Sequence, residues 1–324
     1  MMLVRPNVRR FLKCGLVGLA GSLSISMVSA QEVVCGVGDT VTKPLIHKTA
    51  KRSNAKRIIT PVAKIYPAVV VKSQGRVLLV ARDGKSVEQP LYEGSELRLN
   101  DVIQTAATSF VSIRLGDGSI SMLPSNSRVQ LSQASAGVAR YILDSGEVQS
   151  KVTRQPKANS STFEVQTPGS MIGVRGTDFS VRYLSGAPAF STEVETGKVW
   201  VRSRTSCAAP LVLNAGYGAL LTDNPRAAAI LSAPNMVNPD LAQPDRKLRF
   251  EMQPLAGAVK YRVQIVRDPE LLETVAEQYS NQPVLLLDAA DVPNGYYYAK
   301  LTAFDAMGIQ SRSQMYVFLR NRVE

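Results

Sequence analysis

The sequence predicts an all-β protein, in which a β-sandwich or roll is followed by a smaller β-sandwich. From Val69 onward, apolar and polar residues alternate in many short runs. Nearly all of these runs end at Gly, Pro, Asn or Asp. Short strands that are separated by turn residues, with little helical periodicity between them, are typical of all-β sandwiches.

The clearest strand pair lies within residues 110–122. Val111, Ile113 and Leu115 point to one side, and the alternation resumes after the Gly-Asp-Gly turn at 116–118. This pattern predicts a β-hairpin. Further strands are predicted at 127–132, 138–143, 147–152, 162–166, 178–184, 190–195 and 198–203.

A second β-structure is predicted after a linker. Residues 226–245 are rich in Ala, Pro and Asn, a composition typical of connecting segments. Alternating runs follow at 247–253, 261–266, 295–304 and 315–319. One helix is predicted between them, with Asp268 as N-cap and Pro269 at its first position. Its apolar stripe, expected to contact the core, consists of Leu271, Leu272, Val275, Ala276 and Tyr279.

Residues 1–30 predict a secretory signal peptide. Met1 to Lys13 is basic without an acid, Cys14 to Val28 is apolar, and small residues precede a cleavage site after Ala30. A retained membrane anchor is the alternative, but the apolar run is short against the ~20 residues that span a bilayer. The mature chain is therefore expected to be exported, and to be periplasmic or associated with the cell envelope.

The mature chain is basic. The formal net charge of the 324 residues is +12, and the predicted signal peptide carries four of these positive charges, so that +8 remains on the mature chain. Residues 31–66 are predicted to be a basic flexible lead-in, because Lys43 to Lys64 is polar, lacks a clear period and contains prolines. This segment is either a solvated linker or a contact with an anionic surface of the envelope. Nucleic acid is not an expected partner of an exported chain.

Two cysteines, Cys35 and Cys207, remain after the predicted cleavage. They can form a disulfide in an oxidising compartment, or they can remain separate thiols, since sequence alone does not place their Cβ atoms at bonding distance. These two cysteines and the single histidine, His47, are together spread too widely along the chain for a metal cage. We expect no metal site and no cofactor.

A glycine-rich stretch at 167–183 is the most distinctive motif. Gly169, Gly173 and Gly176 surround Arg175. The spacing does not match a phosphate-binding P-loop, although successive backbone amides could form an anion nest. We expect a structural role, in which glycine supplies the backbone angles of a turn and Arg175 pairs with an internal acceptor.

No catalytic residue is predicted, and we expect that the protein is not an enzyme. The segment Leu143–Gly146 is similar to an aspartic-protease loop, but Glu147 follows where a small residue is usual, and no plausible second loop is present. A hairpin turn is the expected structure there. His47 lies in the flexible lead-in, where no rigid scaffold would orient it for catalysis.

A series of segments between Gly75 and Val199 resembles the FecR domain. The matching segments are Gly75 with Val77, Asn100–Thr105, Leu115–Ser119, Leu123–Ser127, Gly146–Val148, Thr167-Pro168, Gly173–Phe179 and Gly197–Val199. The positions of the family motif are Thr167, Pro168, Gly173, Arg175, Gly176, Thr177 and Phe179. FecR proteins are associated with signalling across the cell envelope. The namesake type has a cytoplasmic segment that controls a sigma factor and a periplasmic part that senses an outer-membrane transporter.

The resemblance implies the exported FecR module alone, because only a short segment precedes the apolar run of residues 14–28. The closing part of the chain has a second and shorter resemblance, to fibronectin type III domains, in its Gly-Tyr strand at 295–304 and the turn that follows. The expected organisation is a signal peptide at 1–30, the lead-in at 31–66, a FecR-like domain at 67–225, the linker at 226–245 and a fibronectin type III-like domain at 246–324.

The expected function is binding or sensing in the cell envelope without catalysis, with an envelope protein or glycan as partner. The alternative is a structural or surface-assembly protein of the envelope. The sequence leaves the oligomeric state open.

Overall fold

The computed structural model describes residues 68–80, 88–135, 138–154, 163–184, 189–237, 239, 242–270 and 273–322. The predicted signal peptide, the predicted lead-in, Cys35 and His47 lie outside the described residues. In the part of the chain that is described, no helix is long and apolar enough to cross a membrane.

The all-β prediction is confirmed, since the described residues form strands and contain no helix. The strands are β1 (Ala68–Gln74), β2 (Val77–Val80), β3 (Gln89–Pro90), β4 (Glu96–Leu97), β5 (Val102–Thr105), β6 (Phe110–Arg114), β7 (Ile120–Leu123), β8 (Arg128–Ser135), β9 (Val138–Ser145), β10 (Glu147–Lys151), β11 (Phe163–Gln166), β12 (Ser170–Val174), β13 (Asp178–Leu184), β14 (Ala189–Thr196), β15 (Lys198–Ser203), β16 (Leu211–Asn214), β17 (Tyr217–Leu221), β18 (Ala228–Ala229), β19 (Lys247–Glu251), β20 (Ala258–Val266), β21 (Thr274–Ser280), β22 (Val284–Asp288), β23 (Gly295–Asp305) and β24 (Gln314–Arg320).

Strands β1 to β18, here called the N-terminal β-structure, form two nine-stranded sheets. The inner sheet has the order β18-β17-β14-β13-β10-β7-β6-β1-β4, and the outer sheet has the order β16-β15-β12-β11-β9-β8-β5-β2-β3. The chain crosses repeatedly between the sheets, which share one apolar core. Strands β6 and β7 pair antiparallel, with Val111 opposite Leu123, which confirms the predicted hairpin.

The two sheets differ in how they are covered. Along β15 of the outer sheet, exposed and buried residues alternate, as expected for a sheet with one solvated face. In β14 of the inner sheet, Phe190 to Val194 are buried without interruption. The inner sheet is therefore covered on both faces, on one by the outer sheet and on the other by the C-terminal strands.

Strands β19 to β24, here called the C-terminal β-structure, form a second two-layered unit. A two-stranded sheet, β19-β22, packs on a four-stranded sheet, β21-β20-β23-β24, around a separate apolar core that includes Phe250, Val263 and Leu301. Because successive residues of a strand point to opposite faces, the polar residues between the core positions of β20 and β23 point the other way, toward the inner sheet. These are Arg262, Gln264, Lys300 and Thr302, all buried.

The described part of the predicted linker is hydrogen-bonded to both β-structures. The Ile230 N–H donates to the carbonyl of Gly216 at 3.0 Å, and the Val237 N–H donates to the carbonyl of Glu251 at 2.8 Å. The Arg312 N–H donates to Leu231 O at 3.0 Å. The domain boundaries expected from the sequence stay predictions.

The helix predicted after Asp268 is wrong, because Thr274–Ser280 is strand β21, paired antiparallel with β20. Asp268 therefore caps no helix, and its carboxylate instead accepts the N–H groups of Glu270 at 3.0 Å and Glu273 at 2.8 Å. These bonds close a turn that leads into the strand. Pairing with β20 overrides the local helical pattern. Leu271 and Leu272 lie outside the described residues.

Candidate functional site

The first part of the glycine-rich stretch forms a tight turn into β12. The Thr167 N–H donates to the carbonyl of Ser170 at 2.9 Å, and the Ser170 N–H donates to Thr167 Oγ1 at 3.1 Å. The Arg204 Nη1 group donates to the carbonyls of Thr167 and Pro168, both at 3.3 Å. Thr167 and Pro168 are thus held by hydrogen bonds inside the chain.

The second part forms the turn between β12 and β13. Gly176 has φ +66°, and a Cβ atom there would lie 2.6 Å from Arg154 Cβ. Thr177 Oγ1 donates to the carbonyl of Lys198 at 3.0 Å. The hydrogen bond holds the turn against the start of β15, and the close approach of Arg154 leaves no room for a side chain at position 176.

The remaining motif residues lie in strands or beside them. Gly173 is buried in β12, and Arg175 is half-buried in the turn that follows. Phe179 is buried in β13, with its ring 5.9 Å from that of Phe163. The motif thus lies in the two turns that flank β12 and in the adjoining core, and its structural role stays a prediction.

Two other sequence predictions concern residues near this region. Cys207 is disulfide-bonded. Its partner lies outside the described residues, so the pairing with Cys35 stays a prediction. The Leu143–Gly146 segment does form a turn, with Gly146 at φ +80°. It is not a hairpin turn, because it takes the chain from β9 in the outer sheet to β10 in the inner sheet.

The candidate functional site is the polar joint, the interface at which the inner sheet faces the four-stranded sheet of the C-terminal β-structure. At its centre, Arg262 Nη1 of β20 donates to Glu147 Oε2 of β10 at 2.8 Å. The side chain of Arg262 is 0% exposed and that of Glu147 is 4% exposed. Because the two charges are buried, each depends on the other for compensation.

The guanidinium of Arg262 has further partners around this pair. Its Nε donates to Thr302 Oγ1 at 3.2 Å, and its Nη2 donates to Gln310 Oε1. Nη1 also donates to Tyr279 OH at 3.3 Å. All three nitrogen atoms are therefore hydrogen-bonded, and these bonds engage four of the five N–H donors of the guanidinium.

A second ion pair of the joint lies within the inner sheet. Arg182 Nη2 is 3.5 Å from Glu193 Oε1, and Ser180 Oγ donates to Glu193 Oε2 at 2.7 Å. Both charged groups also bind the C-terminal β-structure. The Gln310 N–H donates to Glu193 Oε1 at 3.1 Å, and Arg182 donates to the carbonyl of Gly308 at 2.8 Å.

A buried lysine completes the joint. Lys300 Nζ of β23 donates to Gln149 Oε1 at 3.4 Å, and Gln149 Nε2 donates to Glu147 Oε1 at 2.8 Å. Lys300 lies beside a crevice of about 140 Å³ that Asp178 and Glu195 also line. Burial lowers the pKa of Lys300, although Glu195 opposes this shift.

The carboxyl groups of the joint differ in their pKa. Burial raises the pKa of Glu193 and of Glu277, and the arginine that faces each one offsets this only in part. Burial acts on Glu147 in the same direction, but Arg262 and Arg182 outweigh it and hold the pKa of Glu147 below its usual value. The joint therefore stabilises the ionised form of Glu147, whereas it disfavours the ionised forms of Glu193 and Glu277.

This arrangement suits tight association of two β-sheets. The Arg262–Glu147 ion pair spans the joint. The described residues contain no group of three or more His, Cys, Asp or Glu side chains that could hold a metal ion. Sequence reasoning missed the joint. The alternation in β20 and β23 does place Arg262 and Lys300 on one face of the sheet, but the same alternation is typical of a face that contacts water.

Comparison with known proteins identifies part of the N-terminal β-structure. The family model described as FecR protein matches residues 101–200. This confirms the resemblance for those residues, which include β5 to β14 and the first half of β15. A search of curated proteins gives no match.

Three solved structures show distant similarity. One is described as a candidate anti-sigma factor of Parabacteroides distasonis ATCC 8503, with 17% identity, a TM-score of 0.34, and coverage of 40% of this chain and 59% of that one. Another comprises the fibronectin(III)-like modules of Clostridium thermocellum CbhA, with 11% identity, a TM-score of 0.22, and coverage of 60% and 94%. The third is the extracellular domain of a candidate one-component system of B. thetaiotaomicron, with 10% identity, a TM-score of 0.19, and coverage of 79% and 57%.

The chain thus spans 59% of the length of the first of these structures. At these identities and TM-scores the likenesses carry no argument about function. The likeness of the C-terminal β-structure to fibronectin type III domains stays a prediction.

Proposed function

We propose that this chain is a cell-envelope protein that binds or senses an envelope partner, a protein or a glycan, without catalysis. The observation that carries the proposal is the FecR match at residues 101–200, which falls on the two-sheet N-terminal β-structure. Such rigid β-scaffolds commonly present surfaces and loops for recognition. The buried charges of the joint support binding over catalysis, because they are engaged in holding the two β-structures together.

The outer sheet offers the surface that this function needs. The inner sheet is covered by the C-terminal β-structure, whereas the outer sheet has a solvated face. On that face Trp200 and Val212 lie opposite each other in neighbouring strands and are 37% and 44% exposed. The exposed Lys198 and Arg202 lie on the same face of β15. Tryptophan and arginine are enriched where proteins bind each other tightly, so we place the partner here.

The proposed location is the periplasm or the envelope surface, after cleavage behind Ala30. The basic segment at 43–64 adds a salt-dependent attraction to an anionic surface. Intact-mass analysis of the chain from fractionated cells tests the export step, since a mature chain that begins at Gln31 is expected in the periplasmic fraction. The uncleaved chain in the membrane pellet would contradict it.

Photo-crosslinking in cells tests the binding function. A photoreactive amino acid at position 212 is expected to capture a reproducible envelope partner. The control position is 286, because Leu286 is 52% exposed and belongs to the C-terminal β-structure. Crosslinks from position 212 to this chain alone would favour the alternative of a structural assembly. If the protein turned over a substrate and a single substitution abolished this activity, both the binding function and the structural alternative would be wrong.

A further inference from the structure

A wide groove opens at one end of the joint, with a volume of about 660 Å³. One wall belongs to the N-terminal β-structure and the other to the C-terminal β-structure. The first wall consists of residues 124–126, 145–147 and 182–184, and the second consists of Val259, Lys260, Tyr279 and residues 304–308. This volume lies within the range of about 300–1,000 Å³ that is usual for small-ligand sites, which often lie between domains.

The rim of the groove is apolar and open to solvent. Tyr183, Val259 and Met307 all line it, and they are 37%, 51% and 55% exposed. Leu184 and Phe304 extend the apolar lining. Exposed apolar side chains that meet in a concave site indicate a binding surface, whereas scattered ones do not.

One cation of the groove lacks an acidic partner. Lys260 Nζ lies 4.5 Å from the centre of the Tyr279 ring, and no carboxylate of the described residues pairs with it. The acids of the lining are engaged elsewhere. Glu147 binds Arg262, and Asp305 Oδ1 accepts the N–H groups of Met307 and Ile309, both at 2.9 Å.

The second cation of the lining, Arg182, already has polar partners. Arg182 pairs with Glu193 and donates to the carbonyl of Gly308. The groove thus offers a single ammonium group beside an apolar rim. This combination complements a ligand that carries apolar groups and one carboxylate.

We propose that the groove binds the C-terminal end of an apolar peptide, with Lys260 as the counter-ion of the terminal carboxylate. Tyr183, Val259 and Met307 contact its side chains. The lining also contains the polar side chains of Asn126 and Ser145, which match the amide groups of a peptide. A fatty acid carries the same carboxylate but has no amide groups that could form hydrogen bonds with Asn126 and Ser145, so the peptide is the better fit. This site is separate from the partner surface around Trp200, and the purified chain alone tests it.

The test uses acetyl-Val-Leu-Phe with a free carboxylate, the same peptide as its C-terminal amide, and decanoate. Binding is followed by NMR through the methyl group of Met307. We expect saturable shifts of that methyl group with the free acid, and binding that is roughly two- to fivefold tighter than for the amide, as for one charge-assisted contact near the surface.

The variant Lys260→Met should remove the preference for the acid over the amide while it leaves weak binding of both peptides. The matched control is Lys247→Met, which removes an exposed cation of β19 outside the groove and should keep the preference. Absence of Met307 shifts with both peptides would overturn the proposal, as would an acid preference that persists in Lys260→Met. Binding of decanoate without the peptide would identify a lipid site and would also contradict it.

Discussion

Glu147 and Glu277 both face the guanidinium of Arg262, but at different distances. The Glu147 carboxylate lies 2.8 Å from Arg262 Nη1, and the Glu277 carboxylate lies 3.8 Å from the same atom. Glu147 comes from the inner sheet, whereas Glu277 lies beside Arg262 in the four-stranded sheet. Only the shorter of the two pairs crosses the joint.

Glu147→Gln is therefore expected to destabilise the protein far more than Glu277→Gln. The first change removes the nearest counter-charge of a buried arginine, which costs about 3–5 kcal/mol in the free energy of unfolding. The second replaces a carboxylate that its surroundings disfavour and should leave this free energy unchanged or raise it. Urea unfolding of the two variants at pH 7 measures both effects. Equal losses in the two variants would contradict the assignment of Glu147 as the main partner.

The two variants should also differ in their pH dependence. Because the pKa of Glu147 is lower in the folded chain, its contribution is present above the unfolded pKa of about 4.3 and is lost as the pH falls through the folded value. The pKa of Glu277 is raised, so its unfavourable contribution appears in a different window, as the pH rises from about 4.3 through the raised folded value. The loss in Glu147→Gln should shrink as the pH falls below about 4, whereas any gain in Glu277→Gln should shrink at higher pH and be absent below about 4.3.

Unfolding free energies of the wild-type chain and both variants, measured between pH 3 and 7, test these two pH dependences. A loss in Glu147→Gln that is constant with pH would show that the charge of Glu147 plays no part.

The sequence predicted the strands of the N-terminal β-structure well. The predicted strands at 178–184 and 198–203 coincide with β13 and β15. Strand β12 was missed, because the glycines of the motif indicated a turn throughout. Pairing with β11 and β15 makes residues 170–174 a strand in spite of Gly173.

The joint could not be predicted in the same way. Arg262 and Glu147 lie far apart in the sequence, and each belongs to an alternating strand whose polar face fits solvent equally well. Their pairing depends on which sheets meet, and no local pattern contains that information. The Asp268 region shows a local pattern that failed, since Asp268 and Pro269 predicted the start of a helix, whereas pairing with β20 makes residues 274–280 a strand.

Gly176→Val tests the structural role of the family motif. A side chain at φ +66° is strained, and its Cβ would lie 2.6 Å from Arg154 Cβ. We expect a loss of several kcal/mol, from about 1–3 kcal/mol of backbone strain and the added overlap. Gly169→Ala is the matched control, because a Cβ at Gly169 meets no atom within 4 Å. Melting temperatures should fall for the first variant and stay unchanged for the second. A motif with a binding role would instead give a Gly176→Val chain that melts normally and fails to bind its partner.

The predicted disulfide between Cys35 and Cys207 is tested by peptide mapping without reduction. We expect a linked peptide pair that contains these two residues. Cys207→Ser should destabilise the chain by roughly 4–5 kcal/mol, since the bond closes a long loop. A pair that links Cys207 to Cys14, or a free Cys207 thiol in the exported chain, would contradict the pairing.

The polar joint is expected to make the two β-structures unfold together, and one urea titration tests this most directly. Trp200 is the single tryptophan of the chain and lies in the N-terminal β-structure, so its fluorescence reports on that part. Far-UV circular dichroism reports on both parts. The two signals should share one midpoint in the wild-type chain, and they should separate in Glu147→Arg, where two cations face each other in the joint. Different midpoints in the wild-type chain would contradict a joint that couples the two β-structures.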